Sequence, residues 1–179
     1  MEFAKTSSAI KDFLERVTQL MKLELGTYKN RIRRSSKWRN GKPYDTKTRM
    51  KKSRTDASGA LRNSIEYNVT GLKGEVTMLE YGQYVESGRK PGKGIPPEVL
   101  KKWIVAKNIK PRVDNKFVKR TPQRINQMSF MMNRSIKAFG IAPNPFIEPS
   151  SARAIGEHRE SIIEALRDDI IENTNTDES

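Results

Sequence analysis

Between Lys29 and Arg54 the chain places twelve lysines and arginines against a single acid, Asp45, for a net charge of +11. The cations are Lys29, Arg31, Arg33, Arg34, Lys37, Arg39, Lys42, Lys47, Arg49, Lys51, Lys52 and Arg54. No apolar core accommodates unpaired charge at that density, so this stretch must lie at the surface whatever folds around it. Gly41 and Pro43 interrupt it, Ser, Thr and Asn fill it, and Trp38, Tyr44 and Met50 are its large apolar anchors. Residues 29–56 are therefore predicted as a basic flexible loop or arm that orders on contact with another chain or with DNA. The arm separates an N-terminal amphipathic helix (1–28) from an α+β domain (57–172) with a polar tail (173–179).

The rest of the composition narrows the partners. Over 179 residues, 35 Lys and Arg face 21 Asp and Glu, a formal +14, which favours a polyanion or an acidic protein surface. Hydrophobic residues make up 35% against 31% charged, a sparse apolar content that suits a chain completed by oligomerisation. Without cysteine there are no disulfides, thiolate metal sites or cysteine nucleophiles. Met1 to Leu25 alternates charged and apolar residues and lacks the apolar run of a secretion signal, and no segment approaches membrane-spanning length.

Ile10, Phe13, Leu14, Val17, Leu20 and Met21 recur at helical spacing behind Ser7 and Ser8, which are placed to cap, and the pattern ends near Gly26. Ser64 to Val69 and Glu75 to Leu79 alternate around Thr70 to Gly74 and read as a β-hairpin, with a short helix over Ala57 to Asn63 before it. Tyr81 to Glu86 continues as a strand or tight turn, and Gly88 to Pro97 is a loop. Pro97 opens a helix carrying Leu100, Trp103 and Ile104. Lys110 to Arg120 is a basic connector. Pro122 opens a helix with an Ile125, Met128, Met132, Ile136 and Phe139 stripe closed by Gly140. The prolines of Ala142 to Pro149 predict an extended strip, after which Ser150 or Ser151 caps a last helix with Ile155, Ile162, Leu166 and Ile170. The fold class is α+β, a small hairpin-based antiparallel sheet packed with N-terminal, central and C-terminal helices.

Chemistry-bearing residues are few. His158 is the lone histidine, among Glu157, Arg159 and Glu160, and reads as a solvated surface residue, so zinc sites and histidine triads lack their groups. Gly88 to Gly94 has three residues between its glycines where a phosphate loop needs four, and Gly94 stands where that loop needs Ser or Thr. Glu80 and Glu86 read as ion-paired carboxylates of a basic protein and not as an acid/base pair. The expectation is no enzyme, no cofactor and no metal. The arm carries the strongest signal: Arg31, Arg33, Arg34, Lys37, Arg39, Lys51, Lys52 and Arg54 suit phosphates, and Trp38 suits base stacking. The same cations suit an assembly arm that meets acidic neighbours, and the sequence leaves both open.

Two stretches carry a resemblance. Tyr81-Gly82-Gln83-Tyr84-Val85-Glu86-Ser87-Gly88-Arg89-Lys90-Pro91-Gly92 leads into Ile95-Pro96-Pro97 and Trp103, and Gly140-Ile141-Ala142-Pro143-Asn144-Pro145-Phe146-Ile147-Glu148-Pro149 follows later. Over Ser58 to Ile171 this order resembles the neck and tail-completion family of tailed bacteriophages, from which the basic insertion before Ser58 departs. The resemblance implies a non-enzymatic virion subunit, made in the host cytoplasm and built into a cyclic homo-oligomer at the head-to-tail junction. The genome passes through that ring, whose neighbours are portal, adaptor and tail proteins; DNA contact there is nonspecific and no membrane is involved. Tyr81, Tyr84, Glu86, Gly88, Pro91, Trp103, Pro145 and Phe146 are its candidate interface residues. The alternative is a free basic nucleic-acid-binding protein that uses residues 29–54.

Overall fold

The computed structural model describes residues 3–27, 29–40, 42–53, 59–113 and 116–176. Helices and antiparallel two-stranded ribbons alternate along the chain, an α+β fold, and the residues cluster into two units that interleave in sequence. Unit 1 comprises Met1–Thr27, Gly59–Gly82 and Pro145–Ser179; unit 2 comprises Tyr28–Ser58 and Gln83–Asn144. The α+β class is as read from the sequence, and among the described residues its antiparallel sheet is divided into three separate two-stranded ribbons.

Unit 1 is built on α1 (Ala4–Gly26) packed along α6 (Ile147–Thr176). The apolar stripe of α1 supplies Leu14, Val17, Leu20, Met21 and Leu25 to a core completed by Leu61, Ile65, Phe146 and Ala154. Around it lie the short α2 (Ala60–Asn63) and the hairpin of β3 (Glu66–Thr70) and β4 (Lys73–Thr77), which turns at Gly71 with φ 59°. The hairpin and the short helix match the sequence reading.

The start of α1 does not. Ser7 and Ser8 lie inside the helix, which begins at Ala4 with no local side-chain cap. Its free amides are met from α6. Asp169, buried, accepts hydrogen bonds from the Thr6 amide at 2.7 Å, the Thr6 hydroxyl at 2.6 Å and the Lys5 amide at 3.3 Å, while Lys5 pairs with Glu172. A negative charge here also suits the positive end of the helix dipole. Burial works against the charged carboxylate, but hydrogen bonds from the Thr6 side chain and from the Thr6 and Lys5 amides hold its pKa below the usual 3.8. A group lowered on folding stabilises at pH above its unfolded value, and that stability is lost as pH falls through the folded one. Asp169→Ala should therefore lower the urea midpoint at neutral pH and flatten its dependence on pH below about 4, the ordinary range of the group. An unchanged pH profile in the variant would show that the cap contributes nothing.

Further along the pair, Glu157 takes Arg16 Nε at 2.6 Å and Arg153 Nε at 2.8 Å, and these two hydrogen-bonded guanidinium groups lower its pKa to about 2. His158 is half-buried edge-on against Phe13, with ring centroids 6.4 Å apart, and so is less solvated than its charged neighbours suggest. Helix α6 starts at Ile147, so the extended strip stops short of Pro149, which sits in the first helical turn where its missing N–H is not needed. Ser150 is consequently buried within the helix and is not its cap. The helix also runs through Asn173 to Thr176; residues 177–179 lie outside the described residues.

Unit 2 holds β1 (Lys29–Arg39), β2 (Lys42–Ser53), most of α3 (Gly82–Ser87), α4 (Pro97–Ala106), the two-residue strands β5 (Arg112–Val113) and β6 (Lys116–Phe117), and α5 (Pro122–Phe139). Pro97 and Pro122 open their helices as expected; Thr121 caps α5 by accepting from the Arg124 amide, and Gly140 closes it at φ 68°. Three expectations are corrected. Tyr81 to Glu86 gives helix α3 from Gly82 onward, neither strand nor turn; the Lys110 to Arg120 connector folds into the β5–β6 ribbon; and the irregular arm is the long β1–β2 ribbon. Arg54 lies outside the described residues.

Candidate nucleic-acid interface

The formal +14 conceals a strong partition. Unit 2 carries 26 Lys and Arg against 5 Asp and Glu, net +21, whereas unit 1 carries 9 against 16, net −7. Within unit 2, β1 and β2 pair antiparallel, and the register sets Arg31 opposite Lys51, Arg33 opposite Arg49 and Arg39 opposite Lys42. Like charges at directly opposed positions destabilise a ribbon unless counter-charge is supplied. The lone described acid of the ribbon, Asp45, pairs with Lys37 at 3.0 Å where the register shifts between Ser35 and Lys37. There β2 sets both Asp45 and Thr46 against Ser36, whose hydroxyl lies 2.7 Å from that of Thr46, and Asp45 takes up the bulge at φ 49°. Arg39, Lys42, Lys47 and Arg49 are exposed, as are Tyr44 and Met50.

Trp38, read from the sequence as a candidate for base stacking, is half-buried against α5. Its ring lies 3.8 Å from the guanidinium carbon of Arg134 on α5 and meets Phe139 edge-on at 6.3 Å. It anchors the ribbon to α5, which leaves Tyr44 as the ribbon's exposed aromatic ring. Sequence reading did not single out Arg134; nothing in a helical stripe marks which cation will stack on a ring from a distant strand.

The two resemblance-bearing stretches meet. Arg89 and Ile141 exchange amide-to-carbonyl hydrogen bonds at 2.8 Å in both directions, and the Asn144 amide donates to Val85 at 2.9 Å. Gly88, buried at φ 73°, and Gly140 allow this close approach: a Cβ on Gly88 would lie 2.6 Å from the Ile141 carbonyl oxygen. The following loop is strapped to α5 by the Gly92 amide donating to Lys137 O at 2.9 Å and the Ile95 amide donating to Asn133 Oδ1 at 2.9 Å, while Arg89 Nη2 donates to Gly94 O at 3.1 Å. With those amides occupied, the loop does not offer the open backbone nest of a phosphate loop.

The other candidates scatter. Tyr81, Tyr84, Pro91 and Pro145 are exposed, Glu86 is half-buried, and Trp103 is half-buried with Lys107 Nζ 5.4 Å above its ring. Phe146 is fully buried in unit 1. Lys101, Lys102, Val105, Ala106, Pro122, Ile125 and Asn126 line an open groove of about 620 Å³ between α4 and α5. Among the described residues no cluster of His, Asp or Glu could hold a metal ion, and no helix is long and apolar enough to cross a membrane. No known protein family, curated protein or solved structure matches the chain.

Proposed function

We propose that the chain is a structural subunit of the head-to-tail junction of a tailed bacteriophage, a neck or tail-completion protein that works as a cyclic homo-oligomer. The observation that carries the assembly part of this reading is apolar surface left open on regular helices. On α6, Ile155, Ile163, Leu166 and Ile170 are exposed and fall within an arc of about 80°. On α5, Phe130 and Met131 are 65% and 61% exposed, while the fully buried hydrophobics of unit 2 among the described residues are Leu100 and Ile104. Covering a Leu, Ile, Phe or Met side chain contributes about 1.5–3 kcal/mol, so a subunit with such faces gains by closing onto copies of itself. The head-to-tail position rests on the sequence resemblance alone.

Sedimentation of the purified protein tests the assembly. The wild type should run as a closed oligomer, and Leu166→Glu with Ile170→Glu should give a folded monomer with unchanged circular dichroism. A wild type that stays monomeric at all concentrations, or a double variant that assembles normally, contradicts the reading. The net +21 of unit 2 favours a second reading, a free nucleic-acid-binding protein, which predicts DNA binding by the monomer.

A further inference from the structure

We infer that the β1–β2 ribbon binds the phosphate backbone of duplex nucleic acid, using Arg39, Lys42, Lys47 and Arg49. Charge arithmetic speaks against another copy of the chain as the partner. Docked on another copy, residues 29–53, with 11 Lys and Arg against one acid, net +10, would be offset in part by the −7 of that copy's acidic unit, yet every copy still brings a net +14 of self-repulsion to the assembly. A polyanion of much higher charge density is needed. Duplex DNA carries one charge per about 1.7 Å of axis, roughly 20 over a helical turn.

The geometry agrees with the charge. The ribbon is two strands wide, and β1 has 11 residues, which at about 3.3 Å each span roughly 36 Å, close to one turn of duplex at about 34 Å. A two-stranded ribbon is also a width the major groove admits. The cross-strand pair Arg39 with Lys42 is like-charged in the free protein and becomes favourable once phosphates lie over it. The turn end of the ribbon is held on α5 by Trp38, next to Arg39 and Lys42, so the cations are presented on an anchored element. No base-reading signature accompanies them, so the contact is sequence-independent. The inference holds for a neck ring and for a free binder alike, and its failure leaves the ring reading standing.

The test is fluorescence anisotropy of full-length protein with mixed-sequence duplexes of about 30 base pairs, and with the matching single strand, between about 50 and 200 mM salt. The fourfold variant Arg39→Gln, Lys42→Gln, Lys47→Gln, Arg49→Gln should melt no lower than wild type, because it relieves repulsion. It should lose at least about tenfold in duplex affinity and about 3–4 units of the slope of log K against log salt. Sedimentation of the variant should be unchanged. The inference is overturned if wild type does not bind duplex, if the variant keeps the wild-type slope, or if single strand binds as tightly as duplex at equal phosphate. It is equally overturned if polyglutamate competes as well as duplex at equal charge, which marks an acidic protein partner, or if the variant loses oligomerisation instead of DNA.

Discussion

Phe146→Ala should destabilise unit 1 by about 3–5 kcal/mol, the range for truncating a fully buried aromatic ring. The side chain is 0% exposed and sits immediately before α6, in the unit whose core is the α1 stripe. The resemblance makes Phe146 a candidate anchor on a neighbouring subunit. Full burial within the isolated chain assigns it to the core, so the variant should melt much earlier even when assembly is prevented by the α6 double substitution. With about 5–15 kcal/mol of total stability in an ordinary domain, a loss of this size leaves a substantial unfolded fraction at 37 °C. A normal melting temperature combined with failed assembly would instead make Phe146 an interface residue.

Gly140→Val should be nearly as damaging, for a backbone reason. Gly140 closes α5 at φ 68° and ψ −159°, a region open essentially to glycine alone and costing other residues about 1–3 kcal/mol. A Cβ there would also collide with the Arg89 carbonyl oxygen, which accepts from the Ile141 amide. Strain and collision fall on the same element, so the Arg89–Ile141 pair should open. The amides of Arg89 and Ile141 should lose hydrogen-exchange protection, and the loss of stability should exceed about 3 kcal/mol. Gly156→Ala is the control: nothing lies within 4 Å of the added Cβ, and within a helix alanine is favoured over glycine by about 1 kcal/mol. Equal behaviour of the two variants would rule out the close-approach account.

What could be read from the sequence follows the range of the forces involved. The helices opened by Pro97 and Pro122, the Gly140 stop and the hairpin around Gly71 were legible because their signals are local: a fixed proline φ, a glycine conformation, an alternating pattern. The start of α1 was not, because its cap, Asp169, lies 163 residues from Thr6. Pro149 misled because a proline forbids a helix interior but not a first turn. The ribbon was hidden by its own composition. Lys29, Arg31, Arg33, Lys37 and Arg39 recur at every second position or a multiple of it, a strand period written in charge instead of hydrophobicity. For the site, the sequence located the cations and both glycine-containing stretches, but not that Trp38 would be occupied by Arg134, since that contact joins residues far apart in the chain. The partition into +21 and −7 was likewise invisible until the fold interleaved the segments.

The central proposal, a subunit that joins head to tail, is tested most directly by interrupting this reading frame in the genome that encodes it and examining the tailed particles produced by electron microscopy. The account predicts filled heads and finished tails lying apart, with joining restored when the wild-type chain is supplied. Intact, infectious tailed virions made without the chain would contradict it.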